Sequence, residues 1–304
     1  MNFNKKSGEH NLGTEEKQLT LWESFLGRLF TKSKFGKLFI YTILIVWSIS
    51  TIFPLLWVFL NSFKPSKEII TNTFRLPADP TLQNYLNAFD TIDIGKSYLN
   101  SFIMSGSVVF FTLFFGGLAA FVMARMRFRL RGVLQTVLVM SLLIPAFATI
   151  VPVYRMMIDL ELVNTYWALI IPQTAGNLPF AILVISGYMA TIPKELEEAS
   201  LMDGCSRWSM FTRVFLPVSL PIFGTVGTFV FLWSYNDLFT SLVLVEQEQV
   251  RPIVVLLSHV SSQYGTDYGL MTAAIAMTVI PVIVFYLFAQ KTLEKGATSG
   301  AVKG

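Results

Sequence analysis

Residues 101–124 read Ser-Phe-Ile-Met-Ser-Gly-Ser-Val-Val-Phe-Phe-Thr-Leu-Phe-Phe-Gly-Gly-Leu-Ala-Ala-Phe-Val-Met-Ala, a run without Asp, Glu, Lys or Arg. A bilayer core of roughly 30 Å needs about 20 apolar residues in helical form, so this stretch is long enough to cross it. Five further runs share that length and lack of charge, at 38–60, 132–151, 165–189, 214–235 and 268–290. One such helix fits the core of a large soluble protein, whereas six predict an all-α, polytopic membrane protein with six transmembrane helices. Composition agrees, since 53% of the 304 residues are hydrophobic and only 14% charged, against about 25% charged in a typical soluble domain.

Lys and Arg accumulate in cytoplasmic loops, which orients the chain. With the N-terminus inside, the inner segments 1–37, 125–131, 190–213 and 291–304 hold 17 of the 23 basic residues. Acidic residues show no such bias, with 9 inside and 10 outside. Both termini are therefore expected in the cytoplasm. The chain divides into an N-terminal segment 1–37, a six-span domain 38–290 with an inner loop at 190–213, and a tail 291–304. The net charge of +4 follows from this orientation and implies no nucleic acid. Arg125, Arg127, Arg129 and Arg131 fall in a short turn between two spans and read as a topology anchor beside anionic membrane lipid. The sole cysteine, Cys205, excludes an intrachain disulfide. The first run lies behind mostly polar residues and exceeds the h-region of a signal peptide, so it is expected to remain as the first span.

Outside the spans, Trp22, Phe25, Leu26 and Leu29 recur at helical spacing beside basic residues, and fit a helix on the inner membrane surface or a disordered tail. The outer loop 61–100 is long enough for a small extramembrane element. The outer loop 236–267 carries Asp237, Glu246, Glu248, Arg251, Gln263 and Asp267, and could fold back toward the bilayer or face an external partner. Within the fourth run, Pro172 and Pro179 each remove a backbone donor, predicting a helix kinked or locally open around Gly176. Gln173, Thr174 and Asn177 lie near the middle of that run. Polar groups there line a solute path or bond neighbouring helices, and both readings stand. Uncharged amides suit a neutral polar solute such as a sugar.

Several chemistries lack their residues. No Gly-x-x-x-x-Gly-Lys-Ser/Thr loop occurs, so ATP binding of that kind is not expected. His10 and His259 are the only histidines and fall on opposite sides of the membrane, which leaves no His-based catalytic or metal cluster. No cofactor or metal is expected. The absence of Asp, Glu and Lys from the spans counts against a charge-relay secondary transporter.

Residues 191–217 read Thr-Ile-Pro-Lys-Glu-Leu-Glu-Glu-Ala-Ser-Leu-Met-Asp-Gly-Cys-Ser-Arg-Trp-Ser-Met-Phe-Thr-Arg-Val-Phe-Leu-Pro. Thr191 or Ile192 opens a helix with Pro193 in its first turn, and Glu195, Glu197 and Glu198 complement its dipole. Gly204 permits a left-handed stop, and Ser206 caps a second helix carrying Trp208, Phe211 and Phe215. A rigid helix-turn-helix continuous with the fifth span is predicted. At Glu198-Ala199-Ser200, Gly204 and Val214-Phe215-Leu216-Pro217 this loop resembles the permease subunits of bacterial binding-protein-dependent ABC importers, whose pattern is Glu-Ala-Ala, three residues, Gly, nine residues, Ile-x-Leu-Pro. Ser200 and Val214 are the departures. Asn61-Ser-Phe-Lys-Pro65, Asn84-Tyr85 and Gly300-Ala-Val-Lys-Gly304 look like the maltose-type carbohydrate branch.

The resemblance implies sugar or oligosaccharide import by alternating access, with Glu198, Ala199, Ser200, Gly204, Leu216 and Pro217 in an ATPase-coupling loop. It implies as partners a second homologous permease subunit, two ATP-binding subunits and an extracytoplasmic solute-binding protein, with the ATPase activity in a separate subunit. It further implies that loop 236–267 reaches toward the binding protein. The alternatives are a permease for another solute, such as glycerol phosphate, and an ion-coupled secondary transporter.

Overall fold

A computed structural model describes residues 34–91, 93–256, 258 and 267–301. The segment around Trp22, both histidines, Gln263 and the last three residues lie outside them. The described residues form helices and turns without a strand. Five helices are long and apolar enough to cross a membrane, or six spans if one bent pair is counted as a single crossing. The chain divides into two units, one ending at Leu60 and the other beginning at Asn61. The first unit contributes all but the last residue of α1 (Lys34–Asn61), which continues through Pro54.

The second unit opens with a polar knot built from the residues that suggested the carbohydrate branch. Lys64 is fully buried, and its Nζ donates to Asn61 Oδ1 at 3.0 Å, Asn72 O at 3.1 Å and Thr73 O at 3.4 Å. Three oxygens around three N–H bonds replace the water this ammonium loses on burial. The next two helices are α2 (Ser66–Thr71) and α3 (Gln83–Thr91). Asn84 of α3 donates to the carbonyls of Ser62 and Lys64, both at 2.8 Å, and the Tyr85 hydroxyl meets Ser62 Oγ at 2.6 Å.

The bundle follows. It comprises α4 (Ile94–Arg125), α5 (Arg131–Ser141), α6 (Ala146–Asp159), α7 (Trp167–Thr191), α8 (Lys194–Met202), α9 (Arg207–Tyr235), α10 (Leu238–Leu244) and α11 (Tyr268–Ala301). Helices in lipid gain little from hydrophobic association, so close backbone approach carries more of the packing. Gly116 and Gly117 supply it on two sides of α4. A Cβ on Gly116 would lie 3.0 Å from Ala181 of α7, and one on Gly117 would lie 2.6 Å from the Phe223 ring of α9. Phe121, Ile185, Met189, Met210, Phe215 and Phe223 belong to one buried cluster that extends from these three helices into the 190–213 loop.

Two of the apolar runs have a form their length and composition left open. The third apolar run is not one straight helix: α5 and α6 meet at 101° across a four-residue break. Pro145 sits at the N-cap of α6 with ψ 134°, where its missing N–H costs nothing and its ring disfavours a helical residue before it. Of the two forms expected for the fourth run, kinked or locally open around Gly176, the open one does not occur. The run is helical throughout α7, with Pro172 and Pro179 both inside.

Candidate functional site

The 190–213 loop is built close to the way its residues predict, with the first helix starting a turn later than Thr191. Pro193 is the N-cap of α8, and Glu195 and Glu197 lie in its first turn. At its end Gly204 has φ +72°. The Gly204 N–H donates to Leu201 O and the Cys205 N–H to Ser200 O, each at 3.0 Å. This pair of bonds is a Schellman stop, which satisfies carbonyls that the helix itself leaves open. Ser206 then caps α9, its hydroxyl accepting from the Ser209 N–H at 3.2 Å.

Within α9, residues Phe211–Phe215 form a π-turn. The Leu216 N–H reaches back five residues to Phe211 O, and the wider turn accommodates Pro217, which has no N–H of its own to donate. The Leu216-Pro217 pair thus joins the loop to the fifth span without a break. Ser200 is buried and its Oγ donates to Leu196 O at 2.6 Å, so a small third residue in the Glu-Ala-Ser triplet fits the packed side of α8. Much of the rest of the loop is open. Glu198 and Ala199 are exposed, and Leu196, Leu201, Met202 and Trp208 are 41%, 47%, 88% and 60% exposed. Four large apolar side chains on a loop outside the spans form a surface suited to covering by another protein.

Sequence reading missed Arg125 and Glu197 here. The Arg125 side chain is only 5% exposed and lies 3.8 Å from Glu197, so it is not a lipid-facing anchor. Glu197 in turn holds Arg207 at 3.1 Å. The helix-terminal position of Arg125 was a faint signal, hidden among four arginines of equal spacing.

Gln173, Thr174 and Asn177 do not converge on one point. Gln173 Nε2 donates to Asp237 Oδ2 at 3.0 Å and its Oε1 accepts from Ser234 Oγ at 2.5 Å, which ties α7 to the end of α9 and the start of α10. It is the seventh residue of a 25-residue helix, about 9 Å from the centre at 1.5 Å per residue, so it belongs to the outer half of the span. Asp237 Oδ1 also caps α10 by accepting from the Thr240 N–H at 3.1 Å. Thr174 is buried, its hydroxyl is unpartnered, and it lines a cavity of about 300 Å³ with Phe111, Phe115 and Trp167. Asn177 spends one donor on Gln173 O at 2.8 Å. Its Oδ1 accepts no bond among the described residues.

The outer loop after α9 is also tied down. Asn100 Nδ2 donates to Gln249 O at 3.1 Å and Arg251 O at 3.0 Å, while Asn164 Oδ1 accepts from the Glu246 and Gln247 N–H groups at 2.7 and 3.0 Å. Asn164 does so with φ 62°, a conformation Asn adopts more readily than most residues.

A multi-pass helical bundle that offers an apolar and acidic loop beyond its spans has the form of a transport subunit driven by a separate protein. The chain belongs to the family of binding-protein-dependent transport system inner membrane components, which it matches over residues 112–299. It is a multi-pass inner-membrane permease of an ABC importer that works with a binding protein, and ATP hydrolysis resides in a separate subunit. It is 32% identical to the probable ABC transporter permease protein YurM of Bacillus subtilis over 269 residues, 88% of this chain and 89% of that protein. It is 33% identical to the diacetylchitobiose uptake system permease protein NgcG of Streptomyces coelicolor, over 86% of this chain and 88% of that protein. Its fold is similar to a chain of a bacterial ABC transporter that imports alginate, with TM-score 0.74 and 22% identity, over 85% of this chain and 98% of that one.

Proposed function

We propose that this permease moves a sugar or oligosaccharide by alternating access, paired with a second homologous permease and driven by two ATP-binding subunits. Similarity to proteins named for diacetylchitobiose uptake and for melibiose, raffinose and stachyose import supports the solute class. The exposed face of Leu196, Leu201, Met202 and Trp208 carries the coupling assignment. It stands on a loop whose other side merges with the core of the bundle.

In this reading Glu198, Ala199, Ser200, Gly204, Leu216 and Pro217 shape the docking loop and its union with the fifth span. Asn177 is the fourth-span amide that meets solute, because among the described residues its Oδ1 accepts nothing while Gln173 is occupied at both ends. Thr174 faces an apolar cavity, which suits it poorly to a sugar with many hydroxyls. Loop 236–267 faces the solute-binding protein.

Reconstitution with the partner subunits tests both assignments. Glu198→Lys reverses charge on the docking face, so it should insert normally yet lower ATPase co-purification or solute-stimulated hydrolysis. Asn177→Leu should lower uptake without changing assembly. Unaltered hydrolysis and uptake in the first variant would remove the loop from the mechanism, and normal uptake kinetics in the second would remove Asn177 from the path.

A further inference from the structure

We propose that Arg125 is the positioning residue that fastens the 190–213 loop to the second span, so that a displacement of the loop moves α4 together with α7 and α9. This rests on the reading of that loop as the ATPase-facing element. The chain itself links the loop to two helices only. Ile192 and Pro193 join α7 to α8, and α9 begins at Arg207. No such covalent tie reaches α4, which ends at Arg125 and turns away toward α5.

The guanidinium supplies the missing tie. Its Nη2 donates to Met189 O and, at 2.5 Å, to Ile192 O. These carbonyls lie in the last turn and at the C-cap of α7, where a helix leaves its acceptors open and favours a cation. Nη1 lies 3.8 Å from Glu197 Oε2 on α8, and the guanidinium carbon stands 4.7 Å from the centre of the Phe215 ring in the π-turn of α9. One side chain from the end of α4 therefore touches all three segments of the coupling unit. Among the described residues the Phe121 ring also packs against Phe211 and Phe215, at 5.4 and 5.2 Å between centres, and Gly116 and Gly117 bring α4 close to α7 and α9 further along the helix. Ring pairs have broad geometric preferences and tolerate sliding, whereas a planar fork with fixed donors resists rotation and shear. Arg127, Arg129 and Arg131 are exposed and make no ion pair among the described residues, so they retain the topology role.

The test uses the full complex with cysteine-free partners, comparing Arg125→Lys, Arg125→Gln, Glu197→Gln and the control Arg127→Gln. Two quantities are read: ATP hydrolysed per solute transported, and the rate at which a maleimide alkylates Cys205, the chain's sole cysteine, which is half-buried in the loop. Both Arg125 variants should keep the ATPase bound and hydrolysing while the ATP cost per solute rises severalfold and Cys205 reacts faster. Lysine retains the charge without the fork, so its defect separates geometry from topology. Glu197→Gln should give a smaller change in the same direction, and Arg127→Gln none. Should Arg125→Gln fail to reach the membrane, the lysine and Glu197 variants read the same two quantities. An unchanged ratio and an unchanged Cys205 rate in Arg125→Lys would overturn the proposal. So would loss of ATPase binding with normal Cys205 reactivity, which would make Arg125 a docking residue. Failure of Glu198→Lys to affect coupling removes the loop assignment itself, whereas a defect there beside normal Arg125 variants removes only the fastening role.

Discussion

Lys64 and Gly269 show how single residues hold the outer end of the molecule. Among the described residues Lys64 has no carboxylate beside it, only three oxygens in bonding range. Lys64→Met would fill similar space but leave those oxygens without their donor, at about 1–3 kcal/mol. A lower midpoint of thermal inactivation for the purified complex is the expected result. Gly269 is required by close approach, since a Cβ there would lie 2.6 Å from Asn84 Oδ1, and Asn84 is already committed to two carbonyls. At Gly204 the constraint is different. A Cβ meets nothing within 4 Å, but φ is +72°, so the cost of a substitution is backbone strain rather than collision. The αL penalty is about 1–2 kcal/mol for ordinary residues and less for Asn or Asp. Solute-stimulated hydrolysis should therefore fall least in Gly204→Asn, more in Gly204→Asp, which adds charge at the docking face, and most in Gly204→Val. The need for glycine at 204 was legible from its place after α8. The need at 269 was not, because Asn84 is remote in sequence.

Among the elements, α4 is the hub, and its two adjacent glycines determine how near α7 and α9 can come. Gly117→Ala would drive a Cβ to 2.6 Å from a Phe223 ring that is itself buried. Overpacking of this kind costs about 1–3 kcal/mol, so the variant should lose thermal stability and show altered transport at unchanged expression. Phe223→Leu in the same chain should recover much of the loss by vacating the ring's edge. A double-mutant cycle on the inactivation temperature measures that coupling, and simple additivity would contradict direct packing. The breaks in the elements were unevenly legible. Among the prolines inside apolar runs, Pro145 stands at the 101° bend between α5 and α6. Pro172 and Pro179 stay within α7, whose neighbours restrain it, while the π-turn before Pro217 absorbs a missing donor that composition alone cannot place.

For the whole molecule, the separation between a lipid-facing body and a protein-facing loop governs what a substitution does. Met202 is 88% exposed at the end of α8, so it contributes little to the fold, and on the proposed reading of the loop it meets the ATPase. Met202→Asp should insert normally but weaken ATPase association by about 2 kcal/mol, roughly 30-fold, as expected of a buried anchor lost from an interface. Titration of the ATPase against the reconstituted permease gives that shift directly.

Long charge-free runs by themselves determined that this is a helical membrane protein, because the bilayer imposes length and composition on each span separately. The local pattern from Glu198 to Pro217 likewise determined the helix-turn-helix, since caps, a left-handed glycine and a helix-compatible proline act within a few residues of one another. Tertiary structure alone decided that the Arg125 side chain packs against the 190–213 loop, that Lys64 is enclosed by amide oxygens, and that Gln173 binds Asp237 and leaves Asn177, among the described residues, as the amide with an open acceptor. Each of these depends on a contact between segments far apart in the chain. Such contacts arise from which helices can pack closely, and residue type and spacing along one segment do not specify that.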